Sequence, residues 1–148
     1  MSKQKKILDH IRITIGAGKA SAAPPVGPAL GRRKVNIMDF CKKFNDATSS
    51  YEPGSPIPTI ITVYSDSTYS FVTKKPTVSH MIKTAAQVKK GSSLTRKEPY
   101  IKTITSEQCM SIAQEKISDM NAYDISAAFK TVKASAESMG IQVVGDSK

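Results

Sequence analysis

The sequence predicts an α+β N-terminal domain, a short sheet with a helix and a Pro-rich loop, followed by an all-α C-terminal domain of three helices. Three observations predict it. Apolar residues alternate near the start and again just before residue 74. From residue 78 onward they recur at helical spacing. Between the two regimes lies Lys74-Lys75-Pro76-Thr77, where Pro76 biases Lys75 to extended backbone. The division gives residues 1–73 to the first domain, 74–77 to a hinge at Lys75 and Pro76, and 78–148 to the second.

Ile11, Ile13 and Ile15 alternate with Arg12 and Thr14, so residues 7–15 read as a strand with one apolar face. Residues 16–31 read as irregular, because φ is fixed at Pro24, Pro25 and Pro28 and freed at the glycines. Asn36 caps a helix, with Asp39 at the third position reaching back. Ile37, Phe40, Cys41 and Phe44 form its buried stripe. A loop over residues 49–58 leads to a hairpin of strands 59–64 and 68–73, turning at Ser65-Asp66-Ser67.

In the second half, Val78, Met81, Ile82, Ala85 and Val88 mark one helix. Residues 89–97 form a basic, flexible loop. Thr105 or Ser106 caps a second helix carrying Met110, Ala113, Ile117 and Met120. Asn121 with Asp124 resembles a further capping box, before a third helix with Ile125, Ala128, Phe129, Val132, Ala136 and Met139 on one face. Gly140 fits the left-handed stop of that helix.

Charge carries the functional signal. Twenty-two Lys and Arg against twelve Asp and Glu leave +10. That imbalance costs self-repulsion and is relieved by a polyanion, nucleic acid before an anionic membrane surface. A soluble protein that is merely basic is the bland alternative. From residue 74 to 102 there are eight basic residues and one acid, Glu98. Gly91, Ser92 and Ser93 stand among these lysines, where backbone and hydroxyl groups can meet phosphate and ribose.

Other classes have less support. The glycines of residues 16–31 lack the spacing and hydroxyl residue of a phosphate-binding loop. Cys41 and Cys109 have neither metal-ligand nor disulfide spacing and fall on apolar helix faces. His10 and His80 read as surface or half-buried residues. No catalytic constellation, cofactor or metal site is expected. No apolar run approaches the roughly 20 residues of a membrane span, and the basic residues 1–6 are not followed by the apolar run of a signal peptide.

Ala23-Pro-Pro-Val-Gly-Pro-Ala-Leu-Gly31 is followed by Val35-Asn-Ile-Met-Asp-Phe-Cys-Lys-Lys-Phe-Asn45. Together with Ile57–Tyr64, Ser70–Lys74 and the stretch ending Ser138-Met-Gly140, these blocks resemble the bacterial-type large-subunit ribosomal protein eleven family over nearly the whole chain. The resemblance implies a non-enzymatic constituent of the large subunit acting in translation. It implies a C-terminal domain on large-subunit rRNA at the base of the lateral stalk, beside a stalk-base ribosomal protein. The N-terminal domain would move and meet GTPase translation factors, and its proline face would form a thiopeptide site. Carried onto this chain, the rRNA contacts are Lys83, Lys89, Lys90, Gly91, Ser92, Ser93, Lys130 and Ser138, and the factor-facing residues are Pro24, Pro25 and Pro28.

Three departures stand out. Arg32-Arg33-Lys34 replaces an uncharged stretch that often bears glycine, which argues against left-handed backbone at Lys34 and offers a further rRNA contact. Thr77 replaces a second hinge proline, and the 96–98 stretch matches less closely. They favour an organellar, mitochondrial, member over a bacterial one.

Overall fold

A computed structural model describes residues 5–145, so part of the basic start and the last three residues lie outside the described part. The chain divides into two compact units, Met1–Pro76 and Thr77–Lys148.

In the first unit, strand β1 (Ile7–Gly16) pairs antiparallel with β2 (Pro56–Tyr64), which pairs with β3 (Tyr69–Thr73) in the order β1-β2-β3. Helices α1 (Val26–Gly31) and α2 (Ile37–Ala47) belong to the same core as one face of this sheet. Alternation decides which residues go inward. Ile11, Ile61 and Phe71 stand opposite one another on the packed face, and Phe40 of α2 meets the Phe71 ring edge-on at 5.4 Å. Phe40, Phe44, Ile57, Ile61 and Leu30 are fully buried there.

β2 begins earlier than the alternation suggested and takes in two prolines, although it is the central strand. A strand residue's N–H and C=O point to the same side. The Pro58 carbonyl accepts from the Lys74 N–H at 2.8 Å, so its missing donor faces the end of the β3 ladder, past the last paired residue Thr73. β2 keeps its bonds to β1, and only the return bond from residue 58 to Lys74 is missing.

The irregular reading of residues 16–31 needs amendment, because Val26–Gly31 is helical. Pro28 lies in the first turn, where an N–H would have no intrahelical partner. Gly27 is required by close approach: a Cβ there would overlap the Ala22 carbonyl oxygen. Lys34 adopts left-handed backbone with φ 55°, contrary to the expectation from its side chain. Its N–H is held by the Gly31 carbonyl at 3.2 Å.

The second unit is not all-α, which corrects the predicted fold class. Its helices α3 (Val78–Ala86), α4 (Ser106–Lys116) and α5 (Ile125–Ser138) share their core with a two-stranded parallel sheet of β4 (Lys102–Thr105) and β5 (Ile141–Val144). Each strand has four residues, and parallel strands pair only through a long crossover, here the α4–α5 segment. A run that short carries little periodicity, and its partner is remote in sequence. Ile104 and Ile141 are nevertheless fully buried, beside Ile82, Ala113 and Val132.

Capping sets the helix starts. Asn36 accepts from the Asp39 N–H at 3.2 Å. Thr105 and Gln108 form a reciprocal capping box. Asp124 is itself the cap of α5, accepting from Ala127 at 2.7 Å, so the box read between Asn121 and Asp124 is not the one formed. Residues Ile117–Asp119 tighten into a 3₁₀ turn after α4.

Candidate nucleic-acid interface

The predicted RNA contacts lie on α3, the loop after it and α5. Helix α3 ends at Gln87, which takes left-handed backbone with φ 55° and turns the chain sharply. That turn brings Lys89 back beside Lys83. Both line a groove of about 360 Å³ together with His80, Thr84 and Gln87. Lys90 follows directly and is exposed.

The basic loop expected to be flexible is pinned to the end of α5. Ser92 N–H donates to the Met139 carbonyl at 2.9 Å, and Ile101 N–H to the Gly140 carbonyl at 2.8 Å. Within the loop, Ser92 Oγ accepts from Leu94, and the Leu94 carbonyl accepts from Lys97 and Glu98. Gly140 permits this approach. Its φ is +78°, and a Cβ there would meet Ser92 Cβ at 2.7 Å.

Pinning creates a second depression, a cleft of about 350 Å³ between the loop and α5. Ser92, Arg96 and Tyr100 line one side, and Ala134 and Ser138 the other. Glu98 and Glu137 line it as well. The mixed sign suits ribose hydroxyls and base edges better than bare phosphate. Ser138 Oγ donates to the Ser135 carbonyl at 2.7 Å, leaving its lone pairs for a ligand. Lys130, Ala134 and Ser138 recur every four residues, so one stripe runs from Lys130 to the cleft over about 12 Å. Lys130 itself is exposed.

Among the described residues no carboxylate pairs with Lys83, Lys89, Lys90, Arg96 or Lys130. Lys116 differs: it is buried and paired with Asp119 at 3.2 Å. Ser93 is exposed, and Gly91 half-buried beside it.

Sequence reasoning passed over His80, Thr84, Gln87, Arg96 and Tyr100. The first three could have been found, because residues 80, 83, 84 and 87 have the spacing of one helix face. Arg96 belongs to the basic run but was not singled out within it, and Tyr100 carries no local signal; hydrogen bonds between this loop and the end of α5 place them.

In the first unit, Pro24, Pro25 and Pro28 are all exposed, at the entry to α1. Pro24 and Pro25 join Lys19 and Val26 in lining a groove of about 290 Å³. Of the three cations at residues 32–34, Arg33 is already engaged. Its guanidinium pairs with Asp9 of β1 and donates to the Ala29 carbonyl at 3.0 Å. It ties α1 to the sheet, leaving Arg32 and Lys34 as the exposed charges. Lys75 and Pro76 at the predicted hinge are half-buried and buried respectively.

Thiol chemistry has no support in the geometry. Cys41 and Cys109 are buried, and burial pushes both thiols above their ordinary value of 9.0. Among the described residues no group of His, Cys, Asp and Glu could hold a metal ion, and no helix is long and apolar enough to cross a membrane.

Two family models match the chain. The N-terminal domain of ribosomal protein L11 matches residues 11–69, and its RNA binding domain matches residues 74–143. The large ribosomal subunit protein uL11 of Rickettsia bellii is 52% identical over 142 residues, covering 96% of this chain and 99% of the relative. That of Rickettsia prowazekii is 52% identical over 146 residues, covering 99% and 100%. That of Rickettsia rickettsii is 50% identical over 143 residues. These relatives are bacterial, so the preference for an organellar, mitochondrial member finds no support in them.

Proposed function

From the premise that this chain belongs to the ribosomal protein L11 family of non-enzymatic large-subunit proteins with an RNA-binding domain, we propose that its C-terminal unit binds large-subunit rRNA at the base of the lateral stalk. The contacts are the α3 groove, the pinned loop and the α5 stripe: Lys83, Lys89, Lys90, Gly91, Ser92, Ser93, Lys130 and Ser138. The observation that carries this reading is the groove where Lys83 and Lys89 converge without a carboxylate partner. Convergent cations meet phosphate, while the hydroxyls and the Tyr100 ring of the cleft between loop and α5 meet ribose and base.

The N-terminal unit takes the second half of the role. Residues 74–77 act as a hinge at Lys75 and Pro76, and the exposed Pro24, Pro25 and Pro28 face GTPase translation factors beside the stalk-base protein. Prolines have little conformational freedom left to lose on docking, which lowers the ordering cost.

Binding of the full chain to the stalk-base rRNA fragment, titrated across salt concentrations, tests the first part. Lys83→Ala and Lys89→Ala should each weaken binding and flatten the salt slope by about one counterion. Equal affinity for a scrambled RNA would reject specific rRNA recognition. For the second part, Pro24→Ala with Pro25→Ala should lower factor-dependent GTP hydrolysis on intact ribosomes; unchanged hydrolysis removes the proline face from the account.

A further inference from the structure

The three-stranded sheet has a second face. Across it, Arg12, Ile60 and Val72 stand in register on β1, β2 and β3. The next row inward holds Thr14 and Pro58, with Lys74 held to Pro58 by its N–H. These residues alternate with Ile11, Ile61 and Phe71, which fill the core, so they point the other way. Among the described residues no helix of the first unit covers them. Val72 is 64% exposed and Arg12 is exposed. Arg12, Thr14, Pro58, Ile60 and Lys74 line a groove of about 380 Å³.

Two physical features define what would fit. The floor is aliphatic, made of Pro58, Ile60 and the neighbouring Val72. The flanks are cationic, with Arg12 and Lys74 on opposite sides of β2 and one row apart, about 12 Å between their backbones at the usual strand spacing and rise. Neither cation has a carboxylate partner among the described residues. Asp9, the acid of β1, belongs to the opposite parity and is held by Arg33.

We propose that this uncovered sheet face is a docking surface for an acidic polypeptide segment, which seats an aliphatic side chain on Ile60 and Val72 between carboxylates held by Arg12 and Lys74. The surface uses none of the residues assigned to rRNA or to the proline face, although Thr14 also lines the groove beside Pro24 and Pro25. Single-stranded RNA fits it poorly, because base stacking needs aromatic rings and this floor has none among its lining residues. A second copy fits poorly too. A two-fold contact would set the cations of one face against those of the other, with no acid between them. An acidic, aliphatic segment satisfies both the apolar floor and the unpaired charges at once.

The full chain, isotopically labelled for NMR, tests this against three probes: a short Glu/Leu peptide, its Lys/Leu counterpart and an oligouridine RNA. Saturable shifts at Arg12, Ile60, Val72 and Lys74 with the Glu/Leu peptide alone are expected. Reversing both charges, Arg12→Glu with Lys74→Glu, should weaken that binding roughly tenfold or more. Ile60→Ser should weaken it without altering charge, and thermal unfolding of each variant reports that it remains folded. Four outcomes overturn the proposal: shifts at this face with the RNA or the Lys/Leu peptide; no saturable shift there; peptide binding that survives charge reversal; or a concentration-dependent dimer dissolved by Val72→Glu.

Discussion

Asp9 and Arg33 are distant in sequence, yet their contact joins β1 to the end of α1. The Arg33 hydrogen bond, helped by the His10 N–H, holds the Asp9 carboxyl below its ordinary 3.8. Asp39 is lowered likewise, first by Lys43 and then by the Tyr69 hydroxyl, which donates at 2.7 Å. A carboxylate depressed in the folded state contributes stability that is complete above 3.8. The contribution is lost as pH falls through the depressed value. Wild-type chain should therefore lose stability below about pH 4. Asp9→Asn should lower the unfolding temperature at neutral pH and flatten the acid limb, read by circular dichroism across pH. An acid limb as steep as wild type would mean that the pair contributes nothing. Both carboxylates are only half-buried, so the effect should be modest and salt-sensitive.

Helices announce themselves locally and short strands do not. The caps at Asn36 and Thr105 are hydrogen bonds between residues three apart, and the residue types placed the first and narrowed the second to Thr105 or Ser106. Thr105→Ala should cost about 1 kcal/mol by removing a cap. β4 and β5 escape such reading, because each is four residues long and pairs across α4 and α5. Their contribution is tested by Ile141→Ala, which removes a fully buried side chain and should cost about 2–5 kcal/mol in denaturant unfolding. A cost near zero would show that the parallel pair is dispensable. Gly140 joins this sheet to the candidate interface, since its carbonyl holds Ile101 and its missing Cβ admits Ser92. Gly140→Ala should displace the pinned loop and reduce rRNA affinity by more than Thr105→Ala does. Equal affinities for the two variants would detach loop position from binding.

The molecule as a whole has two hydrophobic cores, each holding one cysteine: Cys41 in the first unit and Cys109 in the second. Burial raises both thiols and hides them from reagents. They therefore report separately on the two cores. Ile141→Ala should hasten labelling of Cys109 in mild denaturant and leave Cys41 unchanged. Acceleration of both thiols together would mean that the units unfold as one. The net charge of +10 belongs to this scale too. It repels itself across both units, so polyanion binding should raise the unfolding temperature more at low salt than at high salt.

The sequence by itself determined what is local: the alternation of β1, the caps and stripes of the helices, the net charge and the motifs that carry the family. These depend on residues within a turn or two of one another, and their spacing is the signal. Tertiary structure alone decided what distant residues do together. It paired β4 with β5, occupied Arg33 with Asp9, gave Lys34 its left-handed backbone and set Ser92 on the end of α5. The cause is physical: burying Ile104 with Ile141 and satisfying remote hydrogen bonds selects those partners, and no periodicity in the chain records the choice.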